Sequence, residues 1–506
     1  MKRLVDILSR VDAITLRSGV PAGVHVSNVT FDSRNVADGT LFVALRGARY
    51  DGHDYLEAAA EGGASAVLVE RGSVVPELGI PVLEAANTRA ALAPLATYFF
   101  DEPARAMRVV GITGTNGKTT TSYLLEEILK ADGCVPGVIG TISYRWREEV
   151  IAAANTTPES LVLQELMARM RDDGVTDLIM EVSSHGLATH RLEGASFDVA
   201  IFTNLTQDHL DFHESMEAYR DAKRRLFLEY LPGSVRAGKE PVAVINIDDP
   251  EGVQLATLLE ATPNVTSLTY GLESTDADFH CLRIQMSVDG AELEVRTPDG
   301  LIELHCPMLG RFNISNTLAA MAAAWHLGVN KDRLGTGLKT LVGVPGRLQR
   351  VSPGLKPAVF VDYAHTPDAL ERALETLRPH TSRRLIVAFG CGGERDRGKR
   401  SLMGAVAARL ADDVVLTSDN PRGEEPGSII DEILGGTGAG KSVVVQVNRR
   451  DAIAETIENA HEDDVILVAG KGHETYQEIA GKRHHFDDVE EAERALGARN
   501  QQRNRT

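Results

Sequence analysis

The sequence predicts an α/β chain of three domains, built largely on parallel sheets, and three observations predict it. From Met107 a strand, a glycine loop and a helix follow one another: MRVVGIT, then GTNGK, then TTSYLLEEILKADG. Beyond about Gly346, apolar runs recur that each end in a polar, glycine-rich cluster. Before Pro103, short β-like runs mix with Ala-rich helical stretches. Runs that are apolar along their whole length read as strands buried on both faces, as in sheets covered by helices. A length of 506 residues suits three domains of roughly 100–200 residues each.

Composition narrows the classes. With 43% hydrophobic and 25% charged residues the chain is globular rather than disordered. Its net charge of −19 argues against nucleic-acid binding, which needs a positive field. Anionic ligands must therefore meet local basic clusters. No apolar stretch approaches the ~20 residues that cross a bilayer; the nearest candidate, Leu318 to Val329, is short and interrupted by His326. The start, MKRLVDILSRVDAITLRSG, sets charges among apolar residues at helical spacing and lacks the apolar core of a secretion signal. A cytoplasmic chain with no membrane insertion is expected. The four cysteines form no C-x-x-C pair, so reduced thiols are expected rather than a disulfide framework or a zinc site.

In chain order, the first domain, residues 1–103, offers VSNVTFDSR, GTLFVAL, AVLVE and PVLEA as strands and ends in ATYFFDE before Pro103, a linker position. The second, residues 104–342, opens with the strand, loop and helix above; Gly133 stops the helix. Strands follow at Asp177 to Val182, Val199 to Thr203 and Val242 to Ile247, and a helix over Asn316 to Leu327. The third, residues 343–506, repeats strand, loop and helix through AVFVDYAHTP, RLIVAFGCGGERDRGKR, DVVLTSDNPRGEEP, SVVVQVNRR and DVILVAGKGHETY. Ligands of open parallel sheets bind outside the carboxyl ends of the strands, so these loops should line one edge. Two of them concentrate positive charge, GGERDRGKR and NPRGEEP, and the tail GARNQQRNRT is polar and basic.

The segment VVGITGTNGKTTT, Val109 to Thr121, carries the most chemistry. Its glycines let backbone N–H groups close around phosphate, the helix N-terminus adds partial positive charge, Lys118 can reach the β/γ-phosphates and Thr119 can ligate magnesium. It departs from G-x-x-x-x-G-K-[ST], since Ile112 stands at the first glycine position. Glu181 and His209 end strands of the same domain and could serve a magnesium-nucleotide site. Lys223, in YRDAKRRLF, reads from composition as one charge on a solvated helix face. In the last domain Asp419, Asn420, Pro421 and Arg422 form a turn that presents a guanidinium suited to a carboxylate. Arg395, on a neighbouring strand-end loop, adds a second cation.

In this order, VVGITGTNGKTT, MEVSSHGL, FTNLTQDHLDFH, YRDAK, GRFNISN, PGR, DYAHTP, SDNPR and AGKGHE resemble the Mur ligases of bacterial cell-wall synthesis, and TFDSRNVADGTLFVALRGARYDGHDY extends the resemblance into the first domain. It implies a small N-terminal α/β UDP-binding domain, a central P-loop ATPase-like domain and a C-terminal Rossmann-like domain. It also implies an ATP-dependent amide ligase adding meso-2,6-diaminopimelate to UDP-N-acetylmuramoyl-L-alanyl-D-glutamate in peptidoglycan precursor synthesis, acting as a monomer. Gly114, Thr115, Asn116, Gly117, Lys118, Thr119 and Thr120 would bind ATP, with Asn313, Arg347 and Asp362. Magnesium would be held by Thr119, Glu181, His209 and Lys223, the last carbamylated by carbon dioxide, which reverses the bland reading of that lysine. Phe31, Ser33, Ala48, Arg49 and Tyr50 would meet the UDP end of the sugar nucleotide. Its muramoyl-dipeptide would meet Asn155, Thr156, Thr157, Ser183, Thr189 and Arg191. Arg395, Asp419, Asn420, Pro421, Arg422, Gly470 and Glu474 would receive diaminopimelate. Lysine-adding members lack arginine at the place of Arg422.

The implied chemistry phosphorylates the D-glutamate side-chain carboxylate, and the resulting acyl phosphate is attacked by a neutral amine, with Lys118, Glu181, His209 and Lys223 serving the phosphoryl transfer. Three other readings compete: the same reaction with L-lysine, a folate-polyglutamating ligase, and a nucleotide switch that makes no bond. A folate ligase does not need the first domain or SDNPR, and a switch needs no amino-acid pocket.

Overall fold

A computed structural model describes residues 1–47, 50–208, 210–341, 343–438 and 440–503. The chain divides into two compact units, Met1–Asp278 with Ala319–Asn330, and Phe279–Leu318 with Lys331–Thr506.

The first unit contains two larger sheets and the short antiparallel pair Lys2–Arg3 with His25–Val26. In the N-terminal one the strands run in the order Thr15–Ser18, Val82–Ala85, Ala64–Glu70, Thr40–Val43, Asn28–Thr30, and all but the first pair in parallel. Successive residues of Thr40–Val43 go to opposite cores. Leu41 and Val43 pack with Leu92 and Leu95 of the helix Thr88–Phe99, and Phe42 packs with Leu56 and Val67. Burial on both faces is why these runs are apolar throughout. The larger sheet of this unit runs Glu149–Ala152, Ser143–Trp146, Pro136–Ile139, Asp177–Glu181, Arg108–Thr113, Val199–Phe202, Val242–Asn246, Thr266–Gly271. Its first two strands are antiparallel additions; the other neighbours pair in parallel. The two layers meet where Arg89 pairs with Glu159 at 2.8 Å and Arg171 donates to the Phe100 carbonyl at 2.9 Å.

The second unit holds an antiparallel meander, Phe279–Ser287, Gly290–Thr297 and Gly300–Cys306. It also holds a six-stranded sheet in the order Gln349–Val351, Ala358–Asp362, Val465–Ala469, Leu385–Phe389, Asp413–Leu416, Val443–Val445. Only Gln349–Val351 is antiparallel there. Phe360, Val387, Phe389 and Leu467 face one core, Val359, Val361, Ile466 and Val468 the other. The parallel arrangement puts the loops after five strands at one edge, as expected. The helix predicted from Asn316 starts earlier, at Arg311, and runs to His326. The four cysteines are free, and among the described residues no helix is long and apolar enough to cross a membrane.

Candidate active site

The strand Arg108–Thr113 lies between Asp177–Glu181 and Val199–Phe202, so the loop that follows it shares a sheet edge with Glu181 and Thr203. Gly114 (φ +147°) and Gly117 (φ +89°) take backbone conformations that side chains rarely adopt. A Cβ at Gly114 would sit 1.9 Å from Thr203 Oγ1. Gly117 caps the helix Lys118–Ala131, whose first turn holds Thr119 and Thr120, both buried. Asn204 shapes the loop: its carbonyl accepts from Thr115 N–H and its side-chain oxygen from Asn116 N–H, both at 2.9 Å. Lys118 Nζ folds back onto the carbonyls of Gly114 and Thr115, each at 2.8 Å.

Glu181 is buried beside this loop. Its Oε2 accepts from the hydroxyls of Thr119 at 2.9 Å and Thr141 at 2.8 Å, and its Oε1 from Thr141 N–H at 3.1 Å. A carboxylate facing a helix-start hydroxyl is a donor set of hard oxygens, which suits magnesium. His209 lies outside the described residues, and among those described no three His, Cys, Asp or Glu side chains cluster as a metal site.

Lys223 corrects the reading from composition. It stands on the helix Met216–Arg225, is buried, and donates to the Gly114 carbonyl at 2.9 Å. Burial, reinforced by the Lys118 charge and opposed by Asp208, pushes its amine well below the usual lysine range. Tyr219, one turn earlier, shares a 3.1 Å hydrogen bond with the Thr115 hydroxyl, and burial raises its phenol to about 12.

The residues expected to meet the dipeptide gather beyond Glu181. Thr157 donates to the Glu181 carbonyl and accepts from Ser183 N–H, both at 2.9 Å. Arg191 donates to the Thr157 carbonyl at 2.8 Å and lies 3.3 Å from Glu159. The Thr156 and Thr141 hydroxyls are 3.1 Å apart, tying this group to Glu181. Tyr144 holds the Asn155 carbonyl at 2.6 Å, while the Thr189 hydroxyl is turned to the His185 carbonyl. Of the residues expected at the UDP end, Phe31 packs at the margin of the N-terminal core, Ser33 opens a short turn and Tyr50 is exposed. Ala48 and Arg49 lie outside the described residues.

In the second unit, Asn313 is buried and donates to the Leu309 carbonyl at 2.8 Å. Asp362 closes its strand, accepts from Leu348 N–H at 2.6 Å, and is raised by burial to about 6 despite the Arg347 guanidinium. That guanidinium stands 5.4 Å from the Tyr363 ring centre. His473 is lowered to about 4 by burial and by Arg347.

The strand-end loops of this unit bring the remaining expected residues together. Arg422 has φ +51°, and its N–H and carbonyl bond with Glu478 and Ala480 of the hairpin Tyr476–His485. Its guanidinium donates to the Gly393 carbonyl at 2.7 Å and stands 3.8 Å from Glu478. A Cβ at Gly392 would touch both Arg422 (3.0 Å) and Arg395 (3.8 Å), so both arginines border that glycine. Asn420 donates to Glu474 at 2.8 Å, and a Cβ at Gly470 would lie 2.6 Å from Asp419. The Pro421 carbonyl closes the turn by accepting from Glu424 N–H at 3.0 Å. The positive charge concentrated in GGERDRGKR is largely met internally: Arg400, fully buried, pairs with Glu424 and Glu432, and Arg397 pairs with Glu432. Sequence reasoning missed Arg400, Thr141, Tyr219 and the buried Lys471. Lys471 lies within the quoted AGKGHE, where the lysine between two glycines was the available signal.

Three family models match along the chain. The Mur ligase family catalytic domain covers residues 25–100, the Mur ligase middle domain residues 112–324, and the Mur ligase glutamate ligase domain residues 346–472. A Geobacter metallireducens protein named UDP-N-acetylmuramoyl-L-alanyl-D-glutamate–2,6-diaminopimelate ligase is 45% identical, over 95% of this chain and 96% of its own. A Pseudomonas aeruginosa protein of the same name is 44% identical, over 94% and 95%. A solved structure bearing that name superposes with a TM-score of 0.73 at 34% identity, covering 99% of both chains. With three Mur ligase models in order along the sequence and relatives of about 45% identity over nearly its whole length, this chain belongs to the Mur ligase family.

Proposed function

We propose that the chain joins meso-diaminopimelate to the D-glutamate side-chain carboxylate of UDP-N-acetylmuramoyl-L-alanyl-D-glutamate, with ATP converted to ADP and phosphate. The observation that carries the choice of amino acid is the strand-end cluster of the second unit. The guanidinium of Arg422, with Arg395 beside the same glycine, offers two-pronged recognition of a carboxylate. Glu474, held by Asn420, offers the anion that an ammonium needs. An amino-acid end carries both groups, and L-lysine has only one such end. The full-length identity to relatives named for diaminopimelate supports the same choice.

Within this reading the domains are residues 1–103, 104–342 and 343–506, and one family model falls within each. The loop Gly114 to Thr120 cradles the ATP phosphates, with Lys118 supplying charge. Asn313, Arg347 and Asp362 serve the nucleotide. Thr119, Glu181, His209 and a carbamylated Lys223 hold magnesium, which when bound offsets charge on the transferring phosphoryl group. The lowered amine of Lys223 supports carbamylation, since carbon dioxide combines with the neutral amine only. Thr157, Ser183 and Arg191 orient the dipeptide carboxylate, and positioning contributes much of the rate.

The test is release of ADP with each substrate omitted in turn, followed by diaminopimelate, lysine and ornithine in competition, with the products weighed. All three substrates should be required, and diaminopimelate should dominate the product. ADP release indifferent to the amino acid would leave a nucleotide switch, and equal use of lysine would remove the specificity.

A further inference from the structure

Lys471 is wholly buried at the centre of the proposed amino-acid site, a contact to which no part of the reading above gives a task. It follows the strand Val465–Ala469 and is flanked by Gly470 (φ +115°) and Gly472 (φ +53°), conformations that turn the backbone sharply on both sides. Its Nζ donates to Asn420 Oδ1 at 3.1 Å and stands 3.3 Å from Glu474 Oε2. Asn420 Nδ2 donates to that same Oε2 at 2.8 Å, closing a triangle. Glu478 N–H also donates to Asn420 Oδ1, at 2.9 Å. With two donors on its oxygen, the Asn420 amide has one orientation, and its NH2 group must face Glu474. Both bonds from Lys471 and Asn420 fall on Oε2 of Glu474, so neither engages Oε1. Burying an ammonium is costly unless it is paired and hydrogen-bonded, and here the pairing is with the two side chains expected to receive the substrate.

We propose that Lys471 is a positioning residue for the amino-acid substrate: it fixes the Asn420 amide and turns Glu474 so that Oε1 receives the substrate ammonium. Lys471 does not touch substrate; it acts through Glu474. The inference rests on the reading of this cluster as the diaminopimelate site.

The experiment first measures diaminopimelate-dependent ADP release by the unaltered full chain; its absence would sink the functional reading rather than this inference. Given that activity, Lys471→Met should raise KM for diaminopimelate about tenfold or more, the loss of one charge-assisted contact. KM for ATP and for the sugar nucleotide should hold, and Lys471→Arg should recover part of the loss. Equal rises in all three KM values, or an unmoved diaminopimelate KM, would overturn the proposal. The double variant Lys471→Met/Glu474→Gln removes cation and anion together and decides the matter even where Lys471→Met alone does not fold. It should match the diaminopimelate KM of Glu474→Gln, whereas a further tenfold rise would mean that Lys471 acts independently of Glu474.

Discussion

Two lysines converge on one carbonyl: Lys118 and Lys223 both donate to the oxygen of Gly114, at 2.8 and 2.9 Å. Lys223 is the buried one, and desolvation with the neighbouring charge favours its neutral form. An exposed lysine, with a pKa near 10.4, is neutral in roughly one molecule in a thousand at neutral pH. The lowered amine of Lys223 enlarges the neutral fraction that the proposed carbamylation would need. Protein equilibrated with 13C-bicarbonate should show one carbamate resonance that is absent from Lys223→Arg, and that variant should lose about a hundredfold or more in kcat. A resonance that persists in Lys223→Arg would place the carbamate elsewhere. At this scale the sequence reveals chemical type and conceals burial. Arg422 was legible because an Asp-Asn-Pro-Arg turn marks a loop that presents an arginine, although the side chain itself is half-buried. Lys223 was legible through the resemblance and not from composition, since it sits among Arg220, Arg224 and Arg225 on a helix whose other charges pair with carboxylates. Lys471 and Arg400 escaped for the same reason, their carboxylate partners lying on other loops or helices or hidden by a glycine-flanked turn.

The strand, loop and helix around Gly114 form the element on which the proposed nucleotide binding depends. Its φ of +147° and the 1.9 Å approach of a Cβ to Thr203 Oγ1 leave no room for a side chain. The neighbouring Asn204 N lies at 3.0 Å, so the obstruction is partly backbone and cannot rotate away. Gly114→Ala should move the loop, release the Thr203 bond to the Asn116 carbonyl, and weaken ADP binding by about 10- to 100-fold through roughly 1–3 kcal/mol of strain. Calorimetric titration with ADP checks this, and an unchanged affinity would show that the loop tolerates displacement. This element was legible because its glycines, lysine and flanking periodicities agree. The antiparallel meander was not recognised, although Asp289-Gly290 and Asp299-Gly300 mark both of its turns between alternating runs. The hairpins Ser143–Ala152 and Tyr476–His485 have weaker turns and each includes a largely exposed strand, which local pattern alone does not separate from loop.

On the scale of the whole molecule, the α/β class was legible because strands buried on both faces must be apolar throughout, and this chain has such runs in its N-terminal sheet and in the six-stranded sheet of the second unit. A net charge of −19 makes the surface as a whole unwelcoming to the two anionic substrates of the proposed reaction, ATP and the sugar nucleotide, so their binding would fall to local cations such as Lys118 and Arg191. The proposed reaction makes one demand on the assembled chain that no single residue can meet. A carboxylate resists attack by an amine, so ATP must be spent on the acid itself, and the bond that breaks in amide formation is then the acyl carbon–oxygen bond. The departing phosphate must keep an oxygen that began in the D-glutamate carboxylate. With that carboxylate labelled with 18O, each turnover should release inorganic phosphate carrying one labelled oxygen, read by 31P resonance shift or by mass. Activation through an adenylate would instead place the label in AMP and release pyrophosphate. ATP hydrolysis merely accompanying direct amide formation would leave phosphate unlabelled, and either result would overturn the acyl phosphate.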